Sequence, residues 1–217
     1  MDSNPLIVNV EESELVQLEE RQIQQVGSLS EVWTATEALF SPNLTTRLSG
    51  FKRLSKADAP RQYPLVAYVL ATRLLEPDIQ LRCRIVTSLA EVISGSKRAV
   101  ATSRVYKTIT GFLAGLRTRQ IYALLQVVEF DHSKEEPVAE LLSHCSFAGV
   151  HLAQILSNRE TPLEIRRQAA RFIGKIGYLD ALPTLERLAN RMEERKDGNE
   201  ASLCPALQEA IQSLRMP

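Results

Sequence analysis

The chain has no excess of either charge. Its 217 residues carry 26 Lys and Arg against 26 Asp and Glu. Proteins held on nucleic acid by bulk electrostatics carry a strong positive excess, so the total argues against that class. No run of about 18 apolar residues occurs, and a membrane-spanning helix is not expected. Cysteine is scarce: Cys83, Cys145 and Cys204 are odd in number, widely spaced and form no Cys-x-x-Cys. A disulfide framework is therefore not expected, and a reducing, cytoplasmic setting is. The first residues lack a basic region and the apolar stretch 6–10 is too short for the core of a signal sequence, so no secretory leader is expected.

Catalytic patterns are missing as well. There is no Gly-rich phosphate loop, no Gly-x-Ser-x-Gly and no His-Glu-x-x-His, which removes the common nucleotide, serine-hydrolase and zinc-protease signatures. His132, His144, Cys145 and His151 form one cluster of metal-capable side chains, and their spacing fits no common zinc pattern. They read as surface histidines and a packed thiol. The acidic pairs Glu11–Glu12, Glu135–Glu136 and Glu193–Glu194 read as solvated helix ends or loops. Aromatics make up only 6% of the chain, with a single tryptophan; Trp33 is expected in the core. No enzyme activity, metal or cofactor is expected.

What is present is helical periodicity. Helices are expected at residues 12–26, 30–40 with Ser30 as N-cap, 44–54, 65–75, 79–93, 121–128, 138–142, 147–156, 163–176 and 181–194, with a closing helix ending near residue 214. A further helix carries Val105, Ile109, Phe112 and Leu116, spaced 4, 3 and 4 as one buried stripe. Residues 131–136 read as a polar loop and 196–199 as another. The apolar pentad 6–10 reads as an N-terminal tail or arm.

A pattern recurs along the chain. An apolar helix end is followed by Pro, a Leu or Ile, and an Arg that opens a new apolar helix. It occurs at Pro42 with Arg47, at Pro77 with Arg82 and at Pro162 with Arg166. Pro is tolerated in the first turn of a helix and disfavours helix in the residue before it, so it separates two helices sharply. Residues 162–188 add Ile165, Ala169, Ala170, Gly174, Gly177, Ala181, Leu182, Pro183 and Leu185 in an order that resembles a HEAT repeat. Partial versions start near residues 42, 77 and 119; the last lacks the Pro. The resemblance implies an all-α, right-handed α-solenoid of about four to five helical hairpins with capping helices at its ends. It divides the chain into an acidic arm and cap at 1–28, a repeat domain at 29–198 and a C-terminal cap at 199–217. It also gives Arg47, Arg82 and Arg166 a structural place in the repeat, with Gly177 at a helix C-terminus and Pro183 in the first turn of a second helix.

Neutrality is a sum of unlike parts. Residues 1–27 hold six acids and one base, residues 28–130 hold 14 bases and seven acids, and residues 131–217 hold 11 bases and 13 acids. In the basic middle, Lys97, Arg98, Arg104, Lys107, Arg117 and Arg119 form either a surface for an acidic partner or a solvated face balanced by the acidic leading segment. The expected function is a non-catalytic scaffold or adaptor that binds another protein as part of a larger complex, away from membranes. The alternatives are nucleic-acid binding through the basic middle, as in HEAT-like DNA glycosylases, and an enzyme resembling the HEAT-type bilin lyases.

Overall fold

The computed structural model describes residues 29–95, 101–195 and 200–216. The expected helix at 12–26, the pentad 6–10 and the loop 196–199 lie outside the described residues. Among those described, the chain is all-helical with no strand. It divides into two compact units at Ala59/Pro60.

In the first unit, α1 (residues 29–38) and α2 (Leu44–Lys56) form an antiparallel hairpin. Val32 and Ala35 from one helix, Leu39 just after it, and Phe51 and Leu54 from the other helix are buried. Gly50 sets how closely they approach: a Cβ there would fall 2.7 Å from the Ala35 carbonyl oxygen and 2.8 Å from the Ala38 Cβ. The helix already runs at residue 29, so Ser30 lies within α1 and is not its N-cap. Pro42 stands one residue before the N-cap of α2 rather than in its first turn. The cap is Asn43, whose side chain accepts from the Thr45 N–H at 2.8 Å, a typical role for Asn there.

The division falls within α3 (Ala59–Gln62), and the second unit then contains α4 (Pro64–Thr72), α5 (Ile79–Ser94), α6 (Ser103–Ala114), α7 (Thr118–Phe130), α8 (Glu135–Ser143), α9 (Ala148–Ser157), α10 (Leu163–Lys175), α11 (Leu182–Arg195) and α12 (Cys204–Arg215). Pro77 again precedes the cap: Asp78 caps α5 by accepting from the Leu81 N–H at 2.8 Å. Pro162 is itself the N-cap position of α10, while Pro183 is the second residue of α11. The stretch 131–136 is not a loop. Asp131 caps a short 3-10 turn, His132–Lys134, and Glu135 and Glu136 open α8, where the helix dipole favours acidic side chains. The buried stripe of α6 is Val105, Ile109 and Leu113 rather than a row through Phe112.

Packing differs along this unit. At one end, α4 and α6 run parallel: the Arg61 carbonyl accepts from the Thr102 N–H at 3.4 Å, and the Tyr68 and Phe112 rings meet edge-on at 5.8 Å. At the other, α10 runs parallel to α12. Arg167 bonds Ser202, Arg171 faces Glu209 and Gly174 faces Ala210. α10 also packs on α9 and α7, and α5 packs on α8. Ile165, Ala169, Ala170, Phe172 and Ile173 of α10 are buried, each large one contributing about 1.5–3 kcal/mol through removal from water. After α10, Gly177 takes φ +70, and the Tyr178 N–H reaches back to the Ile173 carbonyl at 3.1 Å, the left-handed helix ending that favours glycine.

Candidate interaction surface

The repeat arginines are buried and bonded to backbone. Arg47 donates from Nη1 to the Ser41 and Pro42 carbonyls at 3.0 and 2.9 Å. Arg82 donates from Nε to the Glu76 carbonyl at 2.7 Å, and from Nη1 to Gln126 Oε1 at 2.9 Å and the Ala123 carbonyl at 3.4 Å. Arg166 donates from Nε to the Leu156 carbonyl at 2.9 Å. Arg47 and Arg82 thus satisfy carbonyls in the segments leading into their own helices, Arg166 satisfies one in the last turn of α9, and Arg82 also ties α5 to α7. Burial pulls the Arg82 guanidinium below its ordinary pKa, against the attraction of Cys83, Glu76 and Asp78. Glu76 is itself buried, and Arg73 pairs with it.

The candidate partner-binding cations stand elsewhere. Arg104, Lys107, Arg117 and Arg119 are exposed; Lys97 and Arg98 lie outside the described residues. Arg104 and Lys107 project from α6 on the side opposite Val105, Ile109 and Leu113, by helical spacing. Arg117 precedes α7, and its N–H donates to Gln120 Oε1 at 2.8 Å. Arg119, at the start of the repeat that lacks the Pro, lies in the first turn of α7 and is exposed, unlike the three buried arginines.

One signal in the chain strengthens this surface. Residues 60–75 and 92–128 contain no acidic side chain, and they supply the two adjacent helices α4 and α6. The exposed side of that pair carries Leu65, Tyr68, Arg104 and Lys107. Among the described residues, neither Arg104 nor Lys107 has an acidic partner within 4.0 Å.

The histidine and cysteine cluster is spread over separate contacts. His144 faces Glu140 at 3.7 Å and the Tyr106 ring at 6.1 Å. His151 Nδ1 lies 2.8 Å from the Thr118 hydroxyl, which donates to Gln154 at 3.1 Å. Burial pushes the Cys145 and Cys83 thiols up, which disfavours the reactive thiolate. Among the described residues no group of three His, Cys, Asp or Glu is placed to hold a metal ion, and no helix is long and apolar enough to cross a membrane. Trp33 is not in the core: it is 53% exposed, and its indole donates to Glu37 at 2.7 Å.

Two shallow clefts lie on the described surface. One, of about 420 Å³, has Arg82 at its wall with Pro77, Ile79, Gln126, Glu129 and Phe130. The other, of about 330 Å³, lies between α10 and α12, where Lys175 donates to Glu135 and Glu136 at 2.9 and 2.6 Å. Burial opposes the charge on Lys175, but the bonds to Glu136 and Glu135 outweigh it and hold its pKa above the ordinary value. The charges of the second cleft are committed to one another, whereas those on α6 have no acidic partner among the described residues. Comparison with protein-family models, curated proteins and solved structures returns no match to this chain.

Proposed function

We propose that this chain is a non-catalytic helical-repeat scaffold that binds a protein partner in the cytoplasm, with its second unit stacked as a HEAT-like α-solenoid. The observation that carries the reading is the parallel packing of alternate helices, α4 on α6 and α10 on α12. Stacked hairpins place equivalent helices of successive repeats side by side in the same direction. The three buried arginines support it, because each performs a similar backbone-bonding task at a recurrent place in the sequence. A solenoid exposes long helical surface and contributes little chemistry of its own, and function then resides in what its faces recognise. The test is isolation of the tagged full chain from its own cells at native salt. A protein partner in fixed stoichiometry is expected. Recovery of the chain as a lone monomer at every salt concentration overturns the reading.

A further inference from the structure

We infer that the exposed side of α4 and α6 docks an acidic amphipathic helix of a partner protein. This rests on the reading of the chain as a scaffold and names the chemistry of what it binds. Leu65, Tyr68 and Thr72 follow one another at spacings 3 and 4, so they form one row along α4. Arg104, Thr108 and Phe112, each four apart, form the facing row along α6. The edge-on contact of Tyr68 with Phe112 joins the two rows. Leu65 is 50% exposed and Tyr68 45%, so the centre of the face is apolar. Lys107 and Arg104 stand on its α6 side, next to the exposed Gly111, where a Cβ would meet nothing within 4 Å among the described residues.

Two parallel helices packed about 8–10 Å apart leave a groove between their outer rows, and an amphipathic helix fits such a groove with anchors at i, i+3 or i+4 and i+7. Charge complementarity decides the chemistry of that helix. Both segments that build the face lack acids, and neither Arg104 nor Lys107 is neutralised by a neighbour among the described residues. Carboxylates on the flanks of an incoming helix complement these cations, and lysines there meet like charge. Nucleic acid fits less well. Salt-sensitive binding to a duplex commonly draws on about 6–10 phosphate contacts, and this face offers two described cations beside a largely apolar centre.

The test uses the full ¹⁵N-labelled chain and two synthetic helical peptides with the same leucine stripe, one flanked by Glu and one by Lys. The Glu-flanked peptide should bind, with amide shifts concentrated on α4 and α6, and weaken as salt rises from about 50 to 200 mM. The Lys-flanked peptide should bind at least tenfold more weakly. Arg104→Glu with Lys107→Glu should lower the affinity of the Glu-flanked peptide about tenfold without changing the thermal midpoint, because neither side chain holds the fold together. No binding of the Glu-flanked peptide, equal binding of both, or shifts located elsewhere overturns the inference. Tighter binding of a labelled oligothymidine, abolished by the same double substitution, also overturns it and assigns the face to nucleic acid. Self-association through this face, seen by sedimentation and broken by that substitution, overturns it in favour of a second copy. A protein partner recovered from cells and unaffected by the double substitution leaves the scaffold reading standing while removing this face as its site.

Discussion

Two parallel helix pairs in the second unit solve the same packing problem in opposite ways. In α10 and α12 the seam is closed by small residues: a Cβ on Gly174 would lie 2.9 Å from the Ala210 Cα. The cations beside it, Arg167, Arg171 and Lys175, face Glu164, Glu209, Glu135 and Glu136. In α4 and α6 the seam is an edge-on ring contact, and the cations beside it face no acid among the described residues. A sealed seam with neutralised charge serves the fold. On the proposed reading, the second seam serves recognition, since desolvating its cations gains most when a complementary partner supplies the counter-charge.

The sharpest way to break the comparison is at Gly174. Gly174→Val forces a side chain into backbone that cannot retreat, and overpacking of this kind costs about 3 kcal/mol. Urea unfolding should show that loss in the midpoint. A change below about 0.5 kcal/mol, within the range of a neutral surface substitution, would show that α10 and α12 are not held this closely.

Arginines give the next contrast. Arg82→Met leaves the Glu76 carbonyl and the Gln126 side chain without their donor and should cost about 2 kcal/mol, the usual worth of hydrogen bonds from a charged group. Arg104→Met on the exposed row should stay within about 0.5 kcal/mol. Equal losses in the two variants, measured by thermal unfolding, would erase the distinction between structural and recognition cations. A smaller effect is expected from Phe112→Ala, which removes the ring contact with Tyr68 and should cost about 1 kcal/mol. It should also abolish the near-ultraviolet signal that depends on that pair.

Much of this contrast can be seen in the sequence, and parts cannot. The recurrence of Pro and Arg marks three helix starts, and the structure gives Arg47, Arg82 and Arg166 backbone carbonyls as partners. The same recurrence misplaces Pro42 and Pro77, because Asn43 and Asp78 have side chains that accept from the first N–H groups and take the cap. On α6 the spacings 4, 3, 4 through Phe112 and 4, 4, 3 through Leu113 both fit one helical face. Which one is buried depends on the neighbouring helix, and Tyr68 of α4 takes Phe112 to the seam. Trp33 reads as core by residue type, yet a hydrogen bond to Glu37 one turn away keeps its polar edge satisfied in solvent. The acid-free stretches 60–75 and 92–128 are visible in the chain. Their meaning is not, because only the parallel packing of α4 on α6 puts them on one face.

The smallest effect has the opposite sign and probes the open face directly. Gly111 lies inside α6, is exposed, and among the described residues has nothing within 4 Å of where a Cβ would stand. Gly in a helix interior costs up to about 1 kcal/mol relative to Ala, mainly through the freedom it has in the unfolded chain. Gly111→Ala should therefore raise stability by about 0.5–1 kcal/mol, where the same kind of change at Gly174 lowers it. A thermal midpoint that falls instead would mean that a neighbour presses on Gly111 in the free protein and that the face is not open. If the midpoint rises while affinity for the Glu-flanked peptide drops, the glycine is where the incoming helix comes closest, since an added methyl group then costs contact only in the complex.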